Sequence, residues 1–147
     1  MAPAYISVEL RRQVHADAGG RCGYCHTPEI LIGMPLDIDH LLAEARGGAT
    51  IRENLWLACT RCNGFKADRS HAPDPISSEQ VPLFNPRTQV WTEHFSWAMD
   101  GITIVGHTAI GRATVVALRL NNDHILVTRQ FWVLAGRWPP LEDQRRG

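Results

Sequence analysis

The first regular pattern along the chain is helical. Val8, Leu10, Val14 and Ala18 recur close to one helical turn apart, with Ser7 ahead of them and Gly19-Gly20 behind. This predicts a helix over 8–18, capped by the Ser7 hydroxyl and stopped by the glycines. The pattern then shortens. Leu36 and Ile38 alternate with Asp37 and Asp39, which predicts a strand within 35–42 that delivers His40. Gly47-Gly48 marks 44–50 as a loop, and the apolar run at 54–58 predicts a second strand ending at Cys59. A polar stretch over 63–69 suits a helix.

Beyond residue 70 the pattern changes twice. Four prolines, Pro73, Pro75, Pro82 and Pro86, predict an extended connector over 71–86 without regular structure. Apolar runs at 95–97 and 102–105 flank Asp100-Gly101, a pair suited to a tight hairpin turn. The segments 111–120 and 124–134 then read as two helices, the second closed by Gly136. The aromatic residues Trp91, Phe95, Trp97, Phe131 and Trp132 read as core packing for this extension rather than as base-stacking platforms. The fold class is α+β in two parts. Residues 1–72 form a strand-strand-helix core with an amino-terminal helix, and 73–147 form a connector with a hairpin and helices packed on that core.

Composition narrows the class only slightly. A chain of 147 residues with 44% hydrophobic content can bury a modest core. No apolar run approaches the roughly 18 residues needed to cross a bilayer, and no secretory leader pattern is present, which places the chain in the cytoplasm, away from membranes. Fifteen basic residues balance fifteen acidic ones, so any polyanion must be held by a local patch.

Four cysteines change the picture. Cys22-x2-Cys25 and Cys59-x2-Cys62 are separated by 33 residues, two knuckles that can close on one tetrahedral ion. A structural Zn2+ follows, with no open position for water. Disulfides are the competing reading, disfavoured in a reducing compartment. His26 could replace one cysteine but reads better as a loop residue.

Between the knuckles lie Asp37-Ile38-Asp39-His40, Gly47-Gly48 and Asn54, and Asn63 and Lys66 follow Cys62. This stretch resembles the HNH nuclease family. The spacing His40-x13-Asn54-x8-Asn63 is similar to the subset with Asn in the last position. The resemblance implies a ββα-metal core, an HNH endonuclease acting on DNA, and a role for Asn54 in orienting His40 or bracing the loop.

The chemistry can be argued from the residues as well. Phosphodiester hydrolysis needs a base to deprotonate water and a cation for the developing charge. An imidazole, with an ordinary pKa of about 6.5, suits His40 to the first role. Asp39 and Asn63 supply oxygen ligands for Mg2+ or Mn2+. On a continuing strand Asp39 and His40 would face opposite sides, so the strand must end or twist where they meet.

His71 is the alternative late ligand. Arg46, Arg61, Lys66 and Arg69 could line the phosphate path. Double-strand cutting by one small site would favour a homodimer. The rival function is a non-catalytic zinc module that grips nucleic acid or protein.

Overall fold

The computed structural model describes residues 5–144. The described residues divide into two compact units, 5–70 with 85–88 and 71–84 with 89–144. Among the described residues no helix is long and apolar enough to cross a membrane.

In the first unit, α1 spans Val8–Ala18. The Ser7 side chain accepts from the Leu10 N–H at 3.0 Å, and Gly19 leaves the helix at φ 64°, a left-handed conformation that glycine adopts without strain. A short turn α2 (Glu29–Ile32) follows. Strand β1 (Asp37–His40) pairs antiparallel with β2 (Leu55–Ala58), Asp37 opposite Ala58 and His40 opposite Leu55. β2 packs against α1, and Val14, Leu36, Leu55, Leu57 and Ala58 form the apolar centre.

The loop between the strands carries two single 3₁₀ turns, Glu44–Arg46 and Arg52–Asn54. Helix α3 spans Thr60–Lys66, starting three residues before the segment 63–69. The reason is its cap. The Cys59 sulfur accepts from the Cys62 N–H at 3.4 Å, so the second knuckle itself nucleates the first turn, and Ala67 at φ 53° ends the helix.

Asp17 ties the unit together. Arg52 grips its carboxylate with two hydrogen bonds of 2.7 and 2.8 Å, and Arg87 adds a third at 2.9 Å. Arg87 also donates to the Leu55 carbonyl and lies 4.9 Å from the Trp56 ring centroid, which fastens residues 85–88 to this unit.

The second unit contradicts the expectation of a structureless connector. β3 (His71–Pro73) and β4 (Gln80–Pro82) form an antiparallel hairpin. Both strands of a two-stranded ladder are edges, so Pro73 and Pro82 at strand ends cost it little. The turn is organised by the buried Asp74, which accepts from the Ile76 and Ser77 amides and takes a two-pronged grip from Arg112 at 2.9 Å.

After α4 (Trp91–His94), β5 (Phe95–Trp97) pairs with β6 (Ile104–Gly106) across a turn whose Asp100 carboxylate accepts the Ile102 and Thr103 amides. Helices α5 (Ala109–Ala117) and α6 (Asp123–Leu134) complete the unit, capped by Thr108 and Asn122. Trp91 and Phe95 are buried as expected, and Trp97 meets Trp138 edge to face. Phe131 is not core: it is 66% exposed on the outer side of α6.

Each unit therefore carries an aspartate held by arginine. The Arg52 hydrogen bonds hold the Asp17 carboxyl well below the usual carboxylate range, and Arg112 does the same for Asp74. A depressed folded pKa stabilises fully above the unfolded value of about 3.9, and the stabilisation is lost as pH falls below it. The thermal midpoint should drop on acidification from pH 5 to pH 3. Asp74→Asn should lower it at pH 6 and flatten that dependence, which calorimetry across the range would read.

Candidate functional site

The four cysteines come from two elements of different kinds. The first knuckle is a tight turn in which the Cys22 N–H donates to the Thr27 carbonyl and the His26 N–H to the Cys22 carbonyl. The second joins the end of β2 to the first turn of α3. All four thiols are buried and unbridged, with their sulfurs within 4.8 Å of one another. The Cys25 and Cys59 sulfurs are 3.8 Å apart. A tetrahedron with zinc–sulfur bonds of about 2.3 Å has edges of about 3.8 Å, so this donor set fits one such ion. His26 does not belong to the cluster.

The sulfurs are electrostatically crowded. Hydrogen bonds from Cys22 hold the Cys25 and Cys59 thiols below their ordinary range, while burial pushes Cys22 up and the Cys22 contact pushes Cys62 up. As four thiolates in so small a dry volume the sulfurs would require a cation among them, so the cluster could hold zinc.

A polar cleft of about 200 Å³ opens at the end of β1, bordered by Asp39, His40, Glu44, Asn63 and Asp68. Asp37 and Asp39 face α3. The Asn63 amide donates to Asp37 at 3.2 Å. Asp39 is buried, accepting from the Tyr24 hydroxyl at 2.7 Å on one oxygen and from the Lys66 ammonium at 3.2 Å on the other. Lys66 also donates to the His40 carbonyl at 3.1 Å. Burial pushes the Asp39 carboxyl up, opposed by Lys66 and Tyr24.

The His40 ring lies on the other side of the strand. Its Nε2 is 2.9 Å from the Thr50 hydroxyl and 3.4 Å from a Glu44 carboxylate oxygen. Because β1 ends at His40, groups from both faces border one opening, which resolves the conflict between strand alternation and a shared site.

A family model described as HNH endonuclease matches residues 22–69, the span that holds both the cysteine cluster and the cleft. This segment is an HNH domain. Comparison of the chain with curated proteins and with solved structures gives no significant match.

Within the HNH segment, Asn54 braces the loop, and its side-chain hydrogen bonds go to loop backbone rather than to the His40 ring. Its side chain accepts from the Leu42 N–H and donates to the Leu42 and Ala49 carbonyls, each at 2.9 Å. Gly48 is needed beside it, since a Cβ there would run into the Leu42 carbonyl. Asn54→Ala removes all three bonds and should cost about 1–3 kcal/mol. Faster amide exchange at Leu42 and Gly48, with zinc retained, would register that loss.

Thr50, Glu44 and Tyr24 are the site neighbours that sequence reasoning missed. Only the distances announce them. Lys66, expected on a phosphate path, points inward instead, 2% exposed. Arg46 donates to the Asp68 carbonyl at 2.7 Å, Arg69 to the Phe65 carbonyl, and Arg61 approaches the Cys25 sulfur at 3.9 Å. The cleft rim is thus acidic, with Glu44 and Asp68 on it. Such a rim suits a hard cation better than a bare phosphate. His71, the alternative late ligand, lies at the start of β3 in the second unit.

Proposed function

We propose that this protein is a divalent-metal-dependent endonuclease that hydrolyses DNA phosphodiester bonds in the cleft at the end of β1, with a structural zinc in the cysteine cluster. The observation that carries the reading is the convergence of an imidazole, a carboxylate and an amide at one acidic opening inside the HNH segment. The order β1, β2, α3 supports a ββα-metal arrangement, with ligand-bearing groups on both β1 and α3.

His40 is the general base. Thr50 and Glu44 engage Nε2, which leaves Nδ1 to take the proton from an attacking water. Asp39 and Asn63 would hold Mg2+ or Mn2+, hard ions that match their oxygens. Each carboxylate oxygen accepts more than one partner, so the bonds to Tyr24 and Lys66 do not exhaust Asp39. The bound ion would supply positive charge to the scissile phosphate and its leaving oxygen. Lys66 holds the Asp39 carboxylate and the His40 backbone in fixed relation, which positions ligand and base together. Asn54 keeps the loop that carries Thr50 in place. The buried, unbridged thiols suit a reducing compartment, and we place the protein in the cytoplasm.

One observation favours the rival reading of a zinc-held binding module. The Lys66 ammonium already neutralises Asp39 without any added ion. Incubating supercoiled plasmid with the zinc-loaded protein in Mg2+, Mn2+ or EDTA separates the two. Metal-dependent conversion to nicked or linear DNA is the expected result. A folded, zinc-loaded protein that leaves the plasmid supercoiled in every divalent ion would assign the cleft to binding.

A further inference from the structure

Helix α6 presents an apolar line to solvent. Val127, Phe131 and Leu134 fall at i, i+4 and i+7, so they share one face, and they are 52%, 66% and 83% exposed. The opposite face does the packing: Ile125 and Arg129 are buried. A shallow groove of about 390 Å³, lined by Ile102, Gln130, Val133 and Leu134 with Asp100 at its edge, runs along one flank and extends the apolar area. Charges of opposite sign bracket the line. Asp123 is exposed in the first turn, and Arg137 is exposed just past the helix end.

We propose that this face of α6 joins two copies of the chain as an antiparallel helix pair about a two-fold axis. One register brings every feature to within a residue of its counterpart. With the axis level with Gln130 and Phe131, Val127 meets the partner's Leu134, Phe131 stacks on the partner's Phe131, and Asp123 reaches the partner's Arg137. The same contacts repeat on the other side, as an isologous interface requires. A parallel pair would set Asp123 against the partner's Asp123 and Arg137 against the partner's Arg137, with the helix dipoles aligned. Charge complementarity therefore selects a second, antiparallel copy. The chain's formal net charge of zero puts no long-range repulsion between copies. Three apolar side chains and a groove fall short of the roughly 800 Å² per partner of a standard interface, so the association is reversible.

The test is sedimentation velocity on the zinc-loaded, full-length protein, from about 1 to 200 µM to cover a weak interface. A concentration-dependent monomer–dimer equilibrium is expected. Phe131→Glu should weaken it at least about tenfold, as expected of a central aromatic contact. Asp123→Arg and Arg137→Asp should each weaken it, and the double reversal should restore it. All three side chains are exposed, so circular dichroism and the thermal midpoint should stay near wild type. A protein that stays monomeric throughout, a dimer indifferent to Phe131→Glu, or a double reversal no better than the singles would each overturn the proposal. The first outcome would leave the face to a different partner.

Discussion

His40→Ala should reduce metal-dependent plasmid nicking by about 10²–10⁴-fold, the range a positioned general base contributes. It should do so while leaving the domain folded and zinc-loaded. The side chain is only 14% exposed, and its polar contacts are with Thr50 and Glu44 at the cleft. The backbone at this position makes contacts that do not depend on the ring. The His40 carbonyl receives Lys66, and the residue pairs with Leu55 across the hairpin. Truncation to alanine keeps both. The stability cost should therefore be that of the ring's hydrogen bond and packing alone, about 1–3 kcal/mol. Nicking by the variant at the wild-type rate, with the same dependence on Mg2+ or Mn2+, would remove His40 from the chemistry. Because the measurement pairs activity with zinc content and thermal midpoint, a collapse of all three would identify a folding defect instead.

The local features of this chain were legible in its sequence, and the long-range ones were not. Ser7 and Gly19 announce α1 because a cap and a stop act within one turn of themselves. Alternation of Leu36 and Ile38 with the aspartates gives β1, and Asp100-Gly101 gives the β5–β6 turn, for the same reason. The β3–β4 hairpin was hidden. Its prolines argue against strands, and the residue that organises its turn, Asp74, is held by Arg112, 38 positions away. Helix α3 starts earlier than its polar stretch predicts, because the Cys59 sulfur that follows the strand is also the helix cap.

The site divides in the same way. Asp39, His40 and Asn63, which border one cleft, could be named as candidates from their types and intervals. Tyr24 and Thr50 could not, since neither spacing nor residue type distinguishes them from ordinary knuckle and loop residues. A lysine near a proposed phosphate path reads as exposed, and Lys66 is instead buried. Its burial depends on Asp39, 27 positions earlier, turning inward to meet it. Phe131 failed in the opposite sense, an aromatic residue taken for core that the turn of α6 carries outward.

Cys59→Ser should release the zinc and unfold the first unit, and the choice of serine makes the cause readable. Cys59 follows β2 directly, contributes a sulfur to the cluster and caps α3. A serine oxygen caps helices well, so that part of its work survives the substitution. A neutral hydroxyl does not replace a thiolate as a zinc ligand, so the metal site is lost. Structural zinc sites contribute on the order of 10–16 kcal/mol of apparent binding free energy. Whole domains are stable by only about 5–15 kcal/mol. The apolar centre of this unit is a few side chains from α1, β2 and the residue before β1, and it cannot make up such a difference. Amides of Leu55–Ala58 and Thr60–Lys66 should then exchange at near-unfolded rates, both in the variant and in wild type treated with a strong chelator. If the variant kept one zinc per chain and the protection of β2 and α3, three cysteines would suffice and the four-sulfur centre would be wrong. Loss of zinc with protection intact would mean instead that the HNH segment folds on its hydrogen bonds and its Asp17 and Lys66 ion pairs alone, leaving the metal a role other than holding the fold.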